Sequence, residues 1–361
     1  MEKRKRGKLH TLILVISAVV AVTAAFLLFL LYTKPGRRLT SKVAAGYIHG
    51  SVNYVSGEEN KFDPSKYVTS APTGPGEEGM TPGTEDGAGD GTGTGKENKE
   101  REYYHILLLG EEALKTTAGK GRTDTIILLT IMVKQKQFML TSVLRDVYVE
   151  PDDLYPCKIN AVYKHKGVKG IYEILYEKLG IWPDGYVKVG FDSFEKGINL
   201  VGGAKVTLTK QEADYLNTHN YISNPEYRNV VEGTQVLNGN QTLGYCRVRH
   251  VPNCNGTKYD YGRTERQRMV LKSLFEQYKE AGLTKWLKIL KEALSYIETD
   301  IDEELMEELI FVVYDNQIKE MQQQQMPARG TFVSEEEVGD VTSTLVVDWE
   351  KNRELLWSIL E

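Results

Sequence analysis

Apolar residues run almost unbroken through residues 105–110, 125–133 and 138–144, and each run reads as one buried strand. The polar Lys134-Gln135-Lys136-Gln137 between the last two predicts a hairpin turn. An up-down-up meander of the three runs brings Glu112, Arg122, Asp124, Arg145 and Asp146 to the same sheet edge. Charges gathered on a rigid scaffold at one edge point to a site.

Beyond the meander the pattern alternates. Helices are predicted near residues 168–179, 193–200, 264–281, 285–296 and 303–314, with a terminal helix from Trp349. Strands are predicted near 186–189, 205–208, 244–250 and 343–347. The fold class is α/β: an α-β-α three-layer domain over residues 103–361, with a central mixed sheet covered by helices on both faces.

The N-terminal third differs. Residues 12–32 carry no charge, and at about 1.5 Å per residue a helix of that length crosses a hydrocarbon core of roughly 30 Å. A cleaved signal peptide has a shorter apolar run and a small-residue cleavage site, so these residues read as one uncleaved transmembrane anchor. Basic residues flank both sides; a short basic tail over 1–11 with a large domain behind it favours a cytoplasmic N-terminus and an extracellular domain. Residues 33–102 read as a juxtamembrane segment and linker, with 41–55 a short helix or strand. Between 73 and 95 Gly dominates, with scarcely any large apolar residue, predicting a disordered tether.

Net charge is −5 over 361 residues, and neither a basic run nor a helix-turn-helix pattern marks the domain, so nucleic acid is an unsuitable partner. The histidines lack zinc-binding spacing. Cys157, Cys246 and Cys254 are odd in number; an extracellular location permits one disulfide, most naturally through Cys254, whereas Cys246 suits the core.

On a 244–250 strand, Arg247 and Arg249 share one face, where they are either solvated or bridged by a polyanion. The apolar stripe Val270, Leu271, Leu274, Phe275 and Tyr278, projected one turn back, continues through Gln267 and Arg263. An inward Arg at a helix N-terminus calls for an anion; the competing role for Gln267 is a Thr264–Gln267 capping box, and Asp260 can pair with Arg263. Arginines beside Glu112, Asp124 and Asp146 suit pyrophosphate chemistry, with carboxylates holding Mg2+; an internal salt-bridge network is the bland alternative.

In order, the chain carries LLLG-x-acid, RTDT, RD-x-Y-V, KINA-x-Y, LVGG, LNG followed by Y-x-R-x-R, and DYGRTERQ. Together these resemble the LytR–CpsA–Psr family across 103–361. That resemblance implies a membrane-anchored phosphotransferase that moves a glycopolymer from a polyprenyl-pyrophosphate carrier to a peptidoglycan hydroxyl. It also implies Mg2+ or Mn2+ on Glu112 and Asp124, and a pyrophosphate held by Arg122, Arg145, Arg247, Arg249 and Arg263 with Gln267 nearby. Asp146 or Asp260 is the implied base, and an apolar tunnel is implied for the lipid tail. The family usually has Asp where this chain has Glu112, and Pro where it has Leu144. A lipid-pyrophosphate hydrolase and a non-catalytic lipid-binding regulator are the alternative functions.

Overall fold

The computed structural model describes residues 33–63, 101–111, 123–281, 292 and 295–361. The expected anchor at 12–32, the Gly-rich stretch and most of the helix expected at 285–296 lie outside them, as do Glu112 and Arg122. Among the described residues no helix is long and apolar enough to cross a membrane.

Seven strands form a mixed sheet: β1 (Asn53–Tyr54), β2 (Tyr103–Glu111), β3 (Thr123–Met132), β4 (Gln137–Val143), β7 (Gly185–Gly190), β10 (Ile297–Thr299) and β11 (Glu320–Met326). Their order is β1-β10-β7-β2-β3-β4-β11. The meander β2-β3-β4 is antiparallel as expected, while β7 and β11 join it in parallel. Two short pairs stand apart: β5 (Tyr148–Val149) with β6 (Cys157–Lys158), and β8 (Ala204–Leu208) with β9 (Gly233–Leu237). The hairpin of β12 (Phe332–Val338) and β13 (Val341–Val347) completes the strands.

Eight helices complete the described fold: α1 (Lys34–His49), α2 (Ile159–Leu179), α3 (Phe191–Leu200), α4 (Lys210–Thr218), α5 (Gly239–Arg247), α6 (Tyr259–Ala281), α7 (Glu303–Asp315) and α8 (Trp349–Leu360). Strand alternation sorts the layers. Leu107, Leu109, Ile126 and Leu128 meet α2 and α8 in the main core. On the opposite face Tyr104, Ile131 and Phe138 meet Phe275 of α6 and Val312 of α7. Helix α2 begins earlier than the pattern predicts and is interrupted at Gly167, whose φ of 71° suits glycine.

Residues 33–63, assigned from sequence to the juxtamembrane segment, pack on the domain. Arg37 pairs with Asp315 at 2.6 Å, and β1 adds an edge strand to β10. Trp182 Nε1 donates to the Asn60 carbonyl at 2.9 Å, and Phe62 packs edge-on against Trp182. The 41–55 stretch thus supplies most of a helix and a strand.

One predicted strand is a helix. Asn238 caps α5 through a reciprocal pair: its Oδ1 accepts from Gln241 N at 2.9 Å, and Gln241 Oε1 accepts from Asn238 N at 3.0 Å. Arg247 closes this helix and Arg249 follows it, so the two do not share a strand face. All three cysteines are free thiols; Cys157 and Cys246 are buried and Cys254 is exposed, so the permitted disulfide is not formed.

Candidate active site

A cavity of about 800 Å³ lies between the sheet and helices α3, α5 and α6. Register explains its floor. Leu108 pairs with Ile127 and Val187, and Gly110 with Thr125 and Val189, which turns these residues to one face. Phe194 and Ile198 of α3, Leu243 of α5, and Val270, Leu271 and Leu274 of α6 supply apolar walls. Gly239 sets the spacing of α3 and α5, because a Cβ there would stand 2.0 Å from the Glu195 carbonyl oxygen.

One end of the cavity is charged: Asp124, Arg145, Arg247, Arg249 and Arg263 line it, four cations against one carboxylate. Asp124 is the extra residue of a β-bulge, since Gly110 pairs with Thr125 but Glu111 pairs with Thr123. Thr123 Oγ1 donates to the carbonyls of Gly110 and Thr125 at 3.1 and 2.8 Å and fixes the kink. Arg145, just past β4, donates from Nη1 to Asp124 Oδ1 at 2.5 Å. Its Nε lies 3.4 Å from Asp260 and 3.6 Å from Asp146.

Asp260 sits in the first turn of α6, which starts one turn earlier than predicted. The Thr264–Gln267 capping box is therefore absent: Thr264 Oγ1 donates back to the Asp260 carbonyl at 3.0 Å, and Gln267 Nε2 to the Cys246 carbonyl at 3.4 Å. Arg263 and Arg249 approach Asp260 at 3.5 and 3.6 Å. Tyr259, directly before it, holds φ at 56°, a strained value for a tyrosine.

Hydrogen bonding at this end is incomplete despite the ion pairs. Arg263, with a side chain 4% exposed, leaves Nε and Nη2 without hydrogen bonds; Arg145 Nε, Arg249 Nε, Asp260 Oδ2 and Gln267 Oε1 are likewise unsatisfied. Such atoms are rare in native interiors, and donors converging on one cavity end call for an anion. Burial lowers Arg263 to about 10, against the pull of Asp260.

Two carboxylates are pushed apart. Burial raises Asp260, opposed by Arg263 and reinforced by the hydrogen bond to Asp146. In Asp146 burial also pushes upward, but hydrogen bonds from Asp260 and Lys158 and the charge of Arg145 hold it below the usual carboxylate range. Lys158 Nζ reaches Asp146 Oδ1 at 3.0 Å.

Of the residues expected at the site, Asp124, Arg145, Asp146, Asp260, Arg247, Arg249, Arg263 and Gln267 come together. Sequence reasoning overlooked Lys158 as the partner of Asp146, and Phe191, whose ring lies 5.1 Å beneath the Arg247 guanidinium. The KINA motif was the available signal for Lys158; the stacking of Arg247 needs the helix geometry.

The LytR_cpsA_psr family model matches residues 81–354. The chain belongs to this family. Biofilm regulatory protein A of Streptococcus mutans is 28% identical over 67% of this chain and 61% of that protein. The polyisoprenyl-teichoic acid–peptidoglycan teichoic acid transferase TagV of Bacillus subtilis is 30% identical over 56% of this chain and 51% of its own length. The chain thus spans roughly half to three fifths of these curated relatives' lengths. The B. subtilis TagV crystal structure superimposes with a TM-score of 0.54 at 28% identity, covering 72% of this chain and 97% of that one. TagT, solved with bound octaprenyl pyrophosphate lipid, gives 0.52 at 22% identity, covering 72% and 90%, and so shares the fold. The mixed sheet and its flanking helices are those of the LytR_cpsA_psr fold.

Proposed function

We propose that this family member is a phosphotransferase that moves a glycopolymer from a polyprenyl-pyrophosphate carrier to a peptidoglycan hydroxyl. One observation carries the reading: an apolar cavity ends in four arginines, three of which, Arg145, Arg249 and Arg263, carry buried donors without hydrogen-bond partners. Its ligand needs an apolar tail and a multiply charged anionic head. TagT's bound octaprenyl pyrophosphate has that form, and TagV's name specifies the transfer.

In the proposed reaction, Arg145, Arg247, Arg249 and Arg263 hold the pyrophosphate oxygens and neutralise charge as the bond order shifts. The acceptor hydroxyl oxygen attacks the sugar-bearing phosphorus. The P–O bond to the lipid phosphate breaks, polyprenyl phosphate leaves, and a phosphodiester forms. The proton passes to the Asp146–Asp260 pair, in which Asp260 has the higher proton affinity.

Asp124 suits a hard divalent cation, being a carboxylate at the arginine-lined end of the cavity. The second expected ligand, Glu112, lies outside the described residues; among the described residues no group of three or more acidic, His or Cys side chains converges on a metal position. Mg2+ or Mn2+ held by these two carboxylates would supply further neutralisation of the phosphates. The proposed location is a single-pass membrane protein, anchored through 12–32, with a cytoplasmic N-terminus and an extracellular catalytic domain.

The test incubates the full chain in detergent with Mg2+, a polyprenyl-pyrophosphate-linked glycan and peptidoglycan fragments, followed by mass spectrometry. A phosphodiester adduct that vanishes in Asp124→Ala supports transfer. Lipid phosphate released without adduct supports the hydrolase instead, and binding without turnover supports the regulator.

A further inference from the structure

A second cavity, of about 730 Å³, opens on the other side of Asp124 and Arg145, which line both spaces. Its walls come from the start of α2, the 155–158 segment and the turn between β12 and β13. The hairpin is registered against the site, because Leu345 N donates to the Asp146 carbonyl at 2.9 Å.

The lining differs from the first cavity in kind. Arg145, Lys158 and Lys164 stand against Asp124, Asp146 and Asp340, three cations and three anions. A balanced set of donors and acceptors suits a neutral polyhydroxyl ligand better than a polyanion. Tyr155 supplies the other element. It is 59% exposed, yet its hydroxyl is held by His165 Nε2 at 2.7 Å and its ring meets the imidazole edge-on. An exposed aromatic ring held in place is a stacking platform for the apolar face of a sugar.

We propose that this cavity is the glycan-acceptor subsite, with Tyr155 as its stacking platform and the Asp124–Arg145 pair as the partition where acceptor hydroxyl meets donor phosphate. This rests on the transfer reading above. It assigns the acceptor a saccharide surface, recognised through hydroxyls and a ring face rather than through net charge.

The test titrates the full-length chain with a neutral tetrasaccharide of alternating N-acetylglucosamine and N-acetylmuramic acid whose lactyl carboxyls are amidated, by calorimetry, beside a parallel titration with octaprenyl pyrophosphate. The expected result is saturable glycan binding, weakened roughly tenfold in Tyr155→Ala and largely restored in Tyr155→Phe, which loses the hydroxyl bond but keeps the ring and its edge-on contact with His165. In the transfer assay Tyr155→Ala should raise the acceptor KM while kcat at saturating acceptor stays within about twofold. Absence of glycan binding, or equal affinity in wild type and Tyr155→Ala, overturns the assignment even where lipid binding is intact. Loss of lipid binding with glycan binding retained strikes the donor reading alone.

Discussion

Arg145 Nη1 and Asp124 Oδ1 meet at 2.5 Å, and the two side chains form the wall shared by both cavities. Neither is fully buried, with 18% and 26% of each side chain exposed. One guanidinium thus holds the bulged aspartate on one side while its Nε faces Asp146 and Asp260 on the other.

Replacing Arg145 by Ala should reduce transfer by at least about a hundredfold, because the charge that meets the transferring phosphate is gone. It should also cost about 1–3 kcal/mol of stability, because Asp124 loses its ion-pair partner while Asp146 keeps Lys158 and Asp260 keeps Arg263. Adding Asp124→Asn should recover part of that stability and none of the activity. Urea denaturation and the transfer assay, run on both variants, separate the two effects.

Glu212 and Arg266 form an ion pair in which both side chains are 0% exposed. Arg266 also donates to the carbonyls of Val248 and Val251 at 3.0 and 2.9 Å, pinning the segment that carries Arg249. Glu212→Ala should lower stability by about 3–5 kcal/mol, since it strands a buried cation. Octaprenyl-pyrophosphate affinity should fall with it, as calorimetry on the folded fraction would reveal.

Burial lowers His105 from 6.5 to about 4. The unfolded chain therefore takes up a proton that the folded protein refuses as pH falls between those values. Stability is full above pH 6.5, declines toward pH 4 by about 3 kcal/mol in all, and loses nothing further below pH 4 from this residue. His105→Gln should flatten that slope in denaturation midpoints measured at pH 7.5, 6, 5 and 4.5; an unchanged slope would assign it to other groups.

Gly239→Ala should force α3 and α5 apart, since the new methyl meets the Glu195 carbonyl oxygen at 2.0 Å. The expected cost is about 1–3 kcal/mol. A thermal melt together with lipid titration checks it, and retention of both would mean the wall yields more readily than its close contact implies.

Strand periodicity made the meander legible, and with it the convergence of Asp124, Arg145 and Asp146. The bulge that turns Asp124 toward the arginines was not legible, because one unpaired residue leaves the apolar pattern intact. Residues 244–250 misled by alternation: Tyr245, Arg247 and Arg249 mimic a period of two, while the signal that decides the helix, Asn238 with Gln241, lies upstream. Strand β11 was missed for the opposite reason. Its Glu-Met-Gln-Gln-Gln-Gln-Met sequence looks like a solvated loop, yet as a sheet edge it pairs residue by residue with β4. Arg263 and Gln267 were placed correctly by the helical stripe even though the helix begins a turn earlier.

The packing of residues 33–63 alters what the Gly-rich stretch can govern. Both Asp63 and Arg101, which bracket 64–100, belong to the folded body, and Arg101 pairs with Asp184. The distance from Thr33 to the Asp124–Arg145 wall is consequently written in strand pairing and helix contacts, not in linker length. Insertions or deletions within 73–95 leave that distance alone, so the reach of the site from whatever holds residue 33 behaves as a fixed ruler rather than a leash.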